Sequence, residues 1–111
     1  MTDQLRSFKS DIFKALANPT RIAILDVLAQ GERSAGALSF ELEMEQANVS
    51  QHLAVLRAKQ LVTTRKAGNH VFYSMRAPVV NKILDLMREY FHAHLSDSLA
   101  MLSEMQKHSS A

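Results

Sequence analysis

The apolar positions of this chain follow two periods. Along most of its length they recur every three or four residues, the spacing of one helix face, and over one short stretch they give way to β-branched residues. Leu5, Phe8, Ile12 and Leu16, with Phe13 beside them, predict a helix from Asp3 to Ala17. Ile22, Leu25, Val27 and Leu28 predict a second, from Pro19 to about Gln30. Asn18-Pro19 separates the two. A residue before proline is pushed away from helical angles, and Asn followed by Pro fits the N-cap and first position of a new helix. Gly31 is a natural stop. Arg21 falls in the first turn, where the helix dipole disfavours a cation. It pairs with an acid or contacts a phosphate, and the sequence does not decide which.

Ser34 is placed to cap a third helix, Ala35 to about Glu43, with Ala37, Leu38, Phe40 and Leu42 as its apolar members. A short connection leads into Glu45 to Gln60, around which the chain is organised. Val49, Leu53 and Leu56 make its core stripe, while Ala47, Ser50, Gln51, Ala54 and Ala58 lie on the far side. That far face has no long apolar side chain and no acid. A plain amphipathic surface helix can look like this. So can a helix that enters a DNA major groove, where Gln and Ser bond base edges and Ala methyls touch thymine methyls. The acids Glu41, Glu43 and Glu45 crowd the preceding turn. They would repel phosphate, so this turn is expected to face away from DNA.

After Gln60 the period changes. Leu61 to Lys66 reads as a strand, Ala67-Gly68-Asn69 as a turn, and His70 to Met75 as the returning strand. Arg65, Lys66 and His70 gather near its tip, which suits contact with a sugar-phosphate backbone. The expected fold is mainly α with a two-stranded hairpin, in the order α-α-α-α-β-β-α: a winged helix-turn-helix in a single domain of residues 1–111. A last helix runs from about Pro78 to His108. At 1.5 Å per residue it extends on the order of 45 Å. A domain of this size cannot cover its stripe of Val80, Ile83, Leu84, Met87, Phe91, Leu95, Leu99 and Leu102. A partner is the expected solution, with the helices at about 3–17 and 78–108 forming a dimer interface. Ser109-Ser110-Ala111 are expected to fray.

Composition narrows the function. The net charge of +2 is too small to establish a nucleic-acid partner, so the placement of charge must do so. The absence of cysteine removes disulfides, thiolate metal sites and thiol redox sensing. The polar N-terminus lacks a signal-peptide core, and no apolar run approaches the roughly 20 residues that span a bilayer, so a cytoplasmic protein is expected. With three glycines, no phosphate loop and no Ser, His and Asp set in a plausible cleft, an enzyme is not expected.

Three stretches together resemble the ArsR/SmtB family of bacterial winged-helix repressors. They are Leu16-Ala17-Asn18-Pro19-Thr20-Arg21, Val49-Ser50-Gln51-His52-Leu53, and Gly68 to Tyr73, within a match covering Phe13 to Met75. The resemblance implies a homodimer that binds an inverted-repeat operator and represses transcription until an inducer releases it. It also implies that Ser50, Gln51 and His52 lie at the DNA interface. By helical angle, His52 is nearer Val49 and Leu56 than Gln51, which suits a rim position bonding a phosphate or backbone group. The expected DNA-binding set is Gln46, Ala47, Asn48, Ser50, Gln51, His52, Arg57, Arg65, Lys66 and His70, with Lys59 a further candidate for phosphate.

The resemblance also raises metal sensing. The family's pattern on the last helix, Asp-x-His and then His-x-x-His or Glu, falls by spacing on His92, His94, Met105 and His108. A His replaces the Asp, a Met replaces a His, and Arg76 to Val79, where the pattern should begin, hold no ligand. The family's other site, a cysteine pair, is impossible in Ser34 to Leu38. His94, Asp97 and His108 share a face with Glu104 and remain the candidate ligands, suited to Zn²⁺ or Ni²⁺ as inducer. The other readings of regulation are a small molecule between the dimer helices, near Met87, Phe91, Met101 and Met105, a protein partner, or no inducer. A winged helix can also serve as a protein-interaction module without DNA. The acid-free helix face and basic hairpin favour DNA over that alternative, which calls for an exposed apolar patch there.

Overall fold

The computed structural model describes residues 2–109, so the fraying expected at Ser110 and Ala111 lies outside the described residues. The elements are α1 (Thr2–Leu16), α2 (Pro19–Leu28), β1 (Arg33–Ser34), α3 (Ala35–Leu42), α4 (Gln46–Ala58), β2 (Val62–Ala67), β3 (His70–Met75) and α5 (Pro78–Ser109). They fall into two compact units. One runs to Asn81 and holds all the strands; the other begins at Lys82 and is entirely helical.

The core of the first unit follows the predicted stripes of α3 and α4, but in α2 it takes in Ile24, which the expected stripe left out. Ile24 and Leu25 of α2, Leu38 of α3, and Val49, Leu53 and Leu56 of α4 are sealed from solvent. Each such side chain contributes about 1.5–3 kcal/mol relative to an exposed one. Leu61 and Val62 extend the core from the start of the hairpin. The predicted caps form. Asn18 accepts a hydrogen bond from the Arg21 backbone N–H at 3.1 Å, with Pro19 opening α2. The Ser34 hydroxyl accepts one from the Ala37 N–H, also at 3.1 Å.

The sheet departs from the expected two-stranded hairpin. Arg33 and Ser34 pair antiparallel with Tyr73 and Phe72, giving three strands in the order β1-β3-β2. A two-residue strand is too short to carry a period. It forms because the outer edge of β3 needs partners for its backbone groups. Between β2 and β3 only Gly68, at φ 62°, leaves the negative-φ region, as a primed hairpin turn with glycine first requires.

Two helices end in left-handed residues that are not glycine. Glu43 (φ 53°) closes α3 and Gln60 (φ 59°) follows α4. After α4, Leu61 N–H returns to the Leu56 carbonyl and Gln60 N–H to that of Arg57. After α3, Met44 N–H returns to Ser39 and Glu43 N–H to Phe40. Both are Schellman motifs, and the first is sealed by the buried pair Leu56 and Leu61. The Ser39 hydroxyl donates to the Met44 carbonyl, tightening the turn between α3 and α4.

Several expected core positions are not core in one chain. Leu5, Phe8 and Phe13 of α1 are exposed; of that helix only Ala15 and Leu16 are buried. No element of the first unit covers them. Ile22 is exposed and Val27 only half-buried. Phe40 is 86% exposed, because it lies two residues from Leu38 and so on nearly the opposite side of α3. In the second unit Met87, Phe91, Leu95, Leu99 and Leu102 are exposed as well. Among the described residues no helix is long and apolar enough to cross a membrane.

Candidate nucleic-acid interface

The geometry of α4 follows from its stripe. With Val49, Leu53 and Leu56 fixed inward, Gln46, Ala47, Asn48, Ser50, Gln51 and Ala54 are all exposed. The helix starts without a side-chain cap, since Glu45 makes no such bond, and its first turn holds no acid. Its first N–H groups are therefore open, and the positive end of the dipole favours an anion there.

Two clefts flank this face. One is lined by Ser50, Leu53, Ala54, Arg57 and Ala58 of α4 with Tyr73 of β3. The other lies between the start of α3, Gln46 and the hairpin residues Asn69, His70, Val71 and Tyr73. Tyr73 borders both and joins the helix to the hairpin, a role that the reading of the sequence missed. Strand alternation carried the signal: Tyr73 shares a face with Val71, Thr64, Lys66 and the buried Val62.

The same alternation separates the two hairpin cations. Lys66 stands opposite Val71, on Tyr73's face, and makes no ion pair among the described residues. Arg65 stands opposite Phe72 on the other face. There it forms a two-pronged pair with Glu32, Nε and Nη2 each 2.7 Å from a carboxylate oxygen. The Arg65 guanidinium beside Glu32 holds that carboxyl below its ordinary value, partly opposed by desolvation, with a further hydrogen bond from Ser74. Glu32 in turn raises Arg65. His70 is exposed on the Arg65 face, its ring 6.2 Å from that of Phe72.

Arg57 is exposed and makes no ion pair among the described residues. Lys59 lies 3.9 Å from Asp11 of α1. His52 is half-buried at the rim, its Nδ1 3.4 Å from Nη1 of Arg21. Neither reading of Arg21 as an acid's partner or a phosphate contact accounts for its bonds here, which go to the carbonyls of Ala15 and Lys14. Glu43 and Glu45 border a surface with Ser39, Phe40 and Met44 that shares no residue with either cleft, and Glu41 pairs with Arg33 at 2.7 Å.

The candidate metal ligands do not converge. Among the described residues no three of His, Cys, Asp and Glu are grouped to hold an ion. His94, Asp97 and His108 are all exposed on α5, and His108 lies 3.9 Å from Glu104. His94 and His108 stand about 21 Å apart along one helix, too far to share an ion within a chain.

Residues 18–64 match the bacterial regulatory protein arsR family. The chain is 38% identical over 111 residues to the HTH-type transcriptional regulator Rv0081 of Mycobacterium tuberculosis, covering 99% of this chain and 97% of that one. The crystal structure of Rv0081 superposes with a TM-score of 0.79 over 86% of this chain and 96% of that one. The transcriptional activator HlyU of Vibrio cholerae is 41% identical over 80 residues, 72% of this chain and 74% of its own. A homodimeric winged helix-turn-helix DNA-binding domain, Mb0332 from Mycobacterium bovis, gives a TM-score of 0.78 at 32% identity, covering 85% of this chain and 87% of that domain. With an open, acid-free α4 beside a hairpin wing, and relatives of this kind along nearly its whole length, the chain belongs to the ArsR family of winged helix-turn-helix, DNA-binding transcriptional regulators.

Proposed function

We propose that this regulator acts in the cytoplasm as a homodimer that places α4 of each protomer in the major groove of an inverted-repeat operator. Ser50 and Gln51 read base edges, with Gln46, Ala47 and Asn48 beside them. Arg57 and Lys66 contact the backbone on either side. The observation that carries this reading is the exposed face of α4, acid-free and flanked by two clefts that meet at Tyr73.

The dimer follows from the exposed apolar faces. Leu5, Phe8 and Phe13 of α1, and Met87, Phe91, Leu95, Leu99 and Leu102 of α5, are more apolar surface than a soluble monomer leaves open. A second copy covers them, and the similar Mb0332 domain is homodimeric. Two recognition helices related by a two-fold axis then meet major grooves about 34 Å apart. Binding across a promoter blocks polymerase, which makes the protein a repressor, released by an inducer. Relatives carry both signs: HlyU is named an activator and SdpR of Bacillus subtilis a repressor. An operator lying upstream of the promoter, clear of polymerase, is the arrangement that favours activation.

The test is fluorescence anisotropy on DNA from upstream of the protein's own gene, against a random duplex at fixed salt, with sedimentation equilibrium on the free protein. Preferential binding and a dimer mass are expected. Equal affinity for both duplexes overturns the operator reading, and a monomer at micromolar concentration overturns the dimer.

A further inference from the structure

Arg21 is held more firmly than a surface cation needs to be. Its Nε donates to the Ala15 carbonyl at 2.5 Å and its Nη2 to the Lys14 carbonyl at 3.2 Å. These carbonyls belong to the last turn of α1, where a helix leaves acceptors unpaired and its dipole favours a cation. The Arg21 backbone is pinned in turn by the Asn18 cap. The guanidinium is thus fixed at its base, and its remaining nitrogen, Nη1, is aimed at His52 Nδ1 from 3.4 Å.

Taken as a hydrogen bond, the pair allows one proton arrangement. Guanidinium has donors and no acceptor, so Nδ1 must offer its lone pair, and the ring proton of a neutral His52 must sit on Nε2. Nε2 points away from Nδ1 and makes no hydrogen bond among the described residues. Among the described residues no side-chain nitrogen or oxygen of a buried or half-buried residue is both unpaired and sealed from water, so Nε2 is not closed off from solvent. His52 lies one turn after Asn48, at the edge of the exposed face of α4. The tautomer decides what that edge offers to DNA. An Nε2–H donates to a phosphate oxygen, whereas a bare Nε2 presents a lone pair and repels it.

We propose that Arg21 is a positioning residue that holds His52 as its Nε2–H tautomer, and that this N–H is a phosphate-directed donor at the rim of the recognition helix. The phosphate half rests on the reading of α4 as the DNA-binding helix; the tautomer half does not. Arg21 thereby joins the end of α1 to α4 through two hydrogen-bonded steps. The contact reads no base, so its loss weakens binding to every duplex alike.

Two measurements test it. Long-range ¹⁵N–¹H correlation spectra in alkaline buffer, where imidazoles are neutral, report the tautomer directly. His52 is expected in the pure Nε2–H pattern, and Arg21→Met is expected to move its two nitrogen shifts toward each other. An Nδ1–H pattern in the wild type, or no change in a folded Arg21→Met, overturns the tautomer half whatever the protein binds. Because Arg21→Met also removes the bonds to α1, a pair of variants at His52 tests the phosphate half without touching Arg21. His52→Gln places an amide N–H where Nε2 stands, and His52→Asn places its polar atoms nearer Nδ1. His52→Gln is expected to stay within about threefold of wild type on any duplex, and His52→Asn to bind about tenfold more weakly, the loss of one charge-assisted bond. Equal affinities, or the reverse order, overturn the phosphate role. A wild type that binds no duplex overturns it by removing the DNA reading itself, while the spectra still decide the tautomer.

Discussion

Arg65 grips Glu32 through two nitrogens at 2.7 Å and lays its guanidinium over the ring of Phe72, 4.8 Å from the centroid. The pair ties the wing to the segment just ahead of β1. It also commits to a neighbouring acid a cation that the sequence offers equally to DNA, and leaves Lys66, on the other face, uncommitted.

The two cations are therefore expected to differ in DNA binding. Lys66→Ala should weaken specific and random duplexes alike and lower the slope of log affinity against log salt by about one, the share of a single phosphate charge no longer neutralised. Arg65→Ala should change the slope less, because its charge is already balanced by Glu32. Salt titrations of both variants check this, and identical slopes for the two would contradict it.

The Glu32 carboxyl titrates below its ordinary value of 4.5, chiefly through the hydrogen bonds from Arg65. In the unfolded chain that carboxyl takes up its proton at higher pH than in the folded one. Its contribution to stability is thus complete above the ordinary value and lost as the pH falls through the lowered one. Glu32→Gln should melt below wild type at neutral pH, by a small margin for so exposed a pair, and the two curves should converge in acid. A gap that persists or widens in acid would count against the pair.

Gln51 stands in the middle of the exposed face of α4. If its amide reads a base, Gln51→Ala should cost about 1–3 kcal/mol on the operator and little on random DNA. Comparing the variant on both duplexes at one salt concentration decides it; equal losses on the two would remove the readout role.

Gln60 holds a left-handed conformation, φ 59°, in the cap that ends α4. Gln60→Gly relieves a penalty of about 1 kcal/mol for a side chain there and should raise the thermal midpoint by several degrees. Unchanged or lower melting would mean that the Gln60 side chain makes contacts worth as much as the strain.

The legible parts of the fold are those whose signals are local and paired. Asn18-Pro19 and Ser34 announce helix starts through groups that satisfy open N–H donors, and each does so here. The stripe of Val49, Leu53 and Leu56 fixes which face of α4 is free. Positions whose usual signal is missing were not legible. Glu43 and Gln60 end helices where glycine is the recognisable residue. Arg33 and Ser34 pair through backbone groups, on which side-chain patterns are silent. Arg21 finds acceptors six and seven residues back, carbonyls that no side-chain rule points to. Tyr73 and the opposite facing of Arg65 and Lys66 were within reach, since strand parity counted from the buried Val62 assigns all three.

Ser34 belongs to two elements at once. It is the last residue of β1, opposite Phe72, and its hydroxyl caps α3. The wing cannot swing away from the helices without loosening the first turn of α3. In the proposed complex, wing and recognition helix would therefore approach a duplex as one caliper of set gape. Where groove width and backbone spacing differ from that gape, the DNA has to bend or narrow to fit. Sequences that deform easily would then be preferred at base pairs the protein never touches.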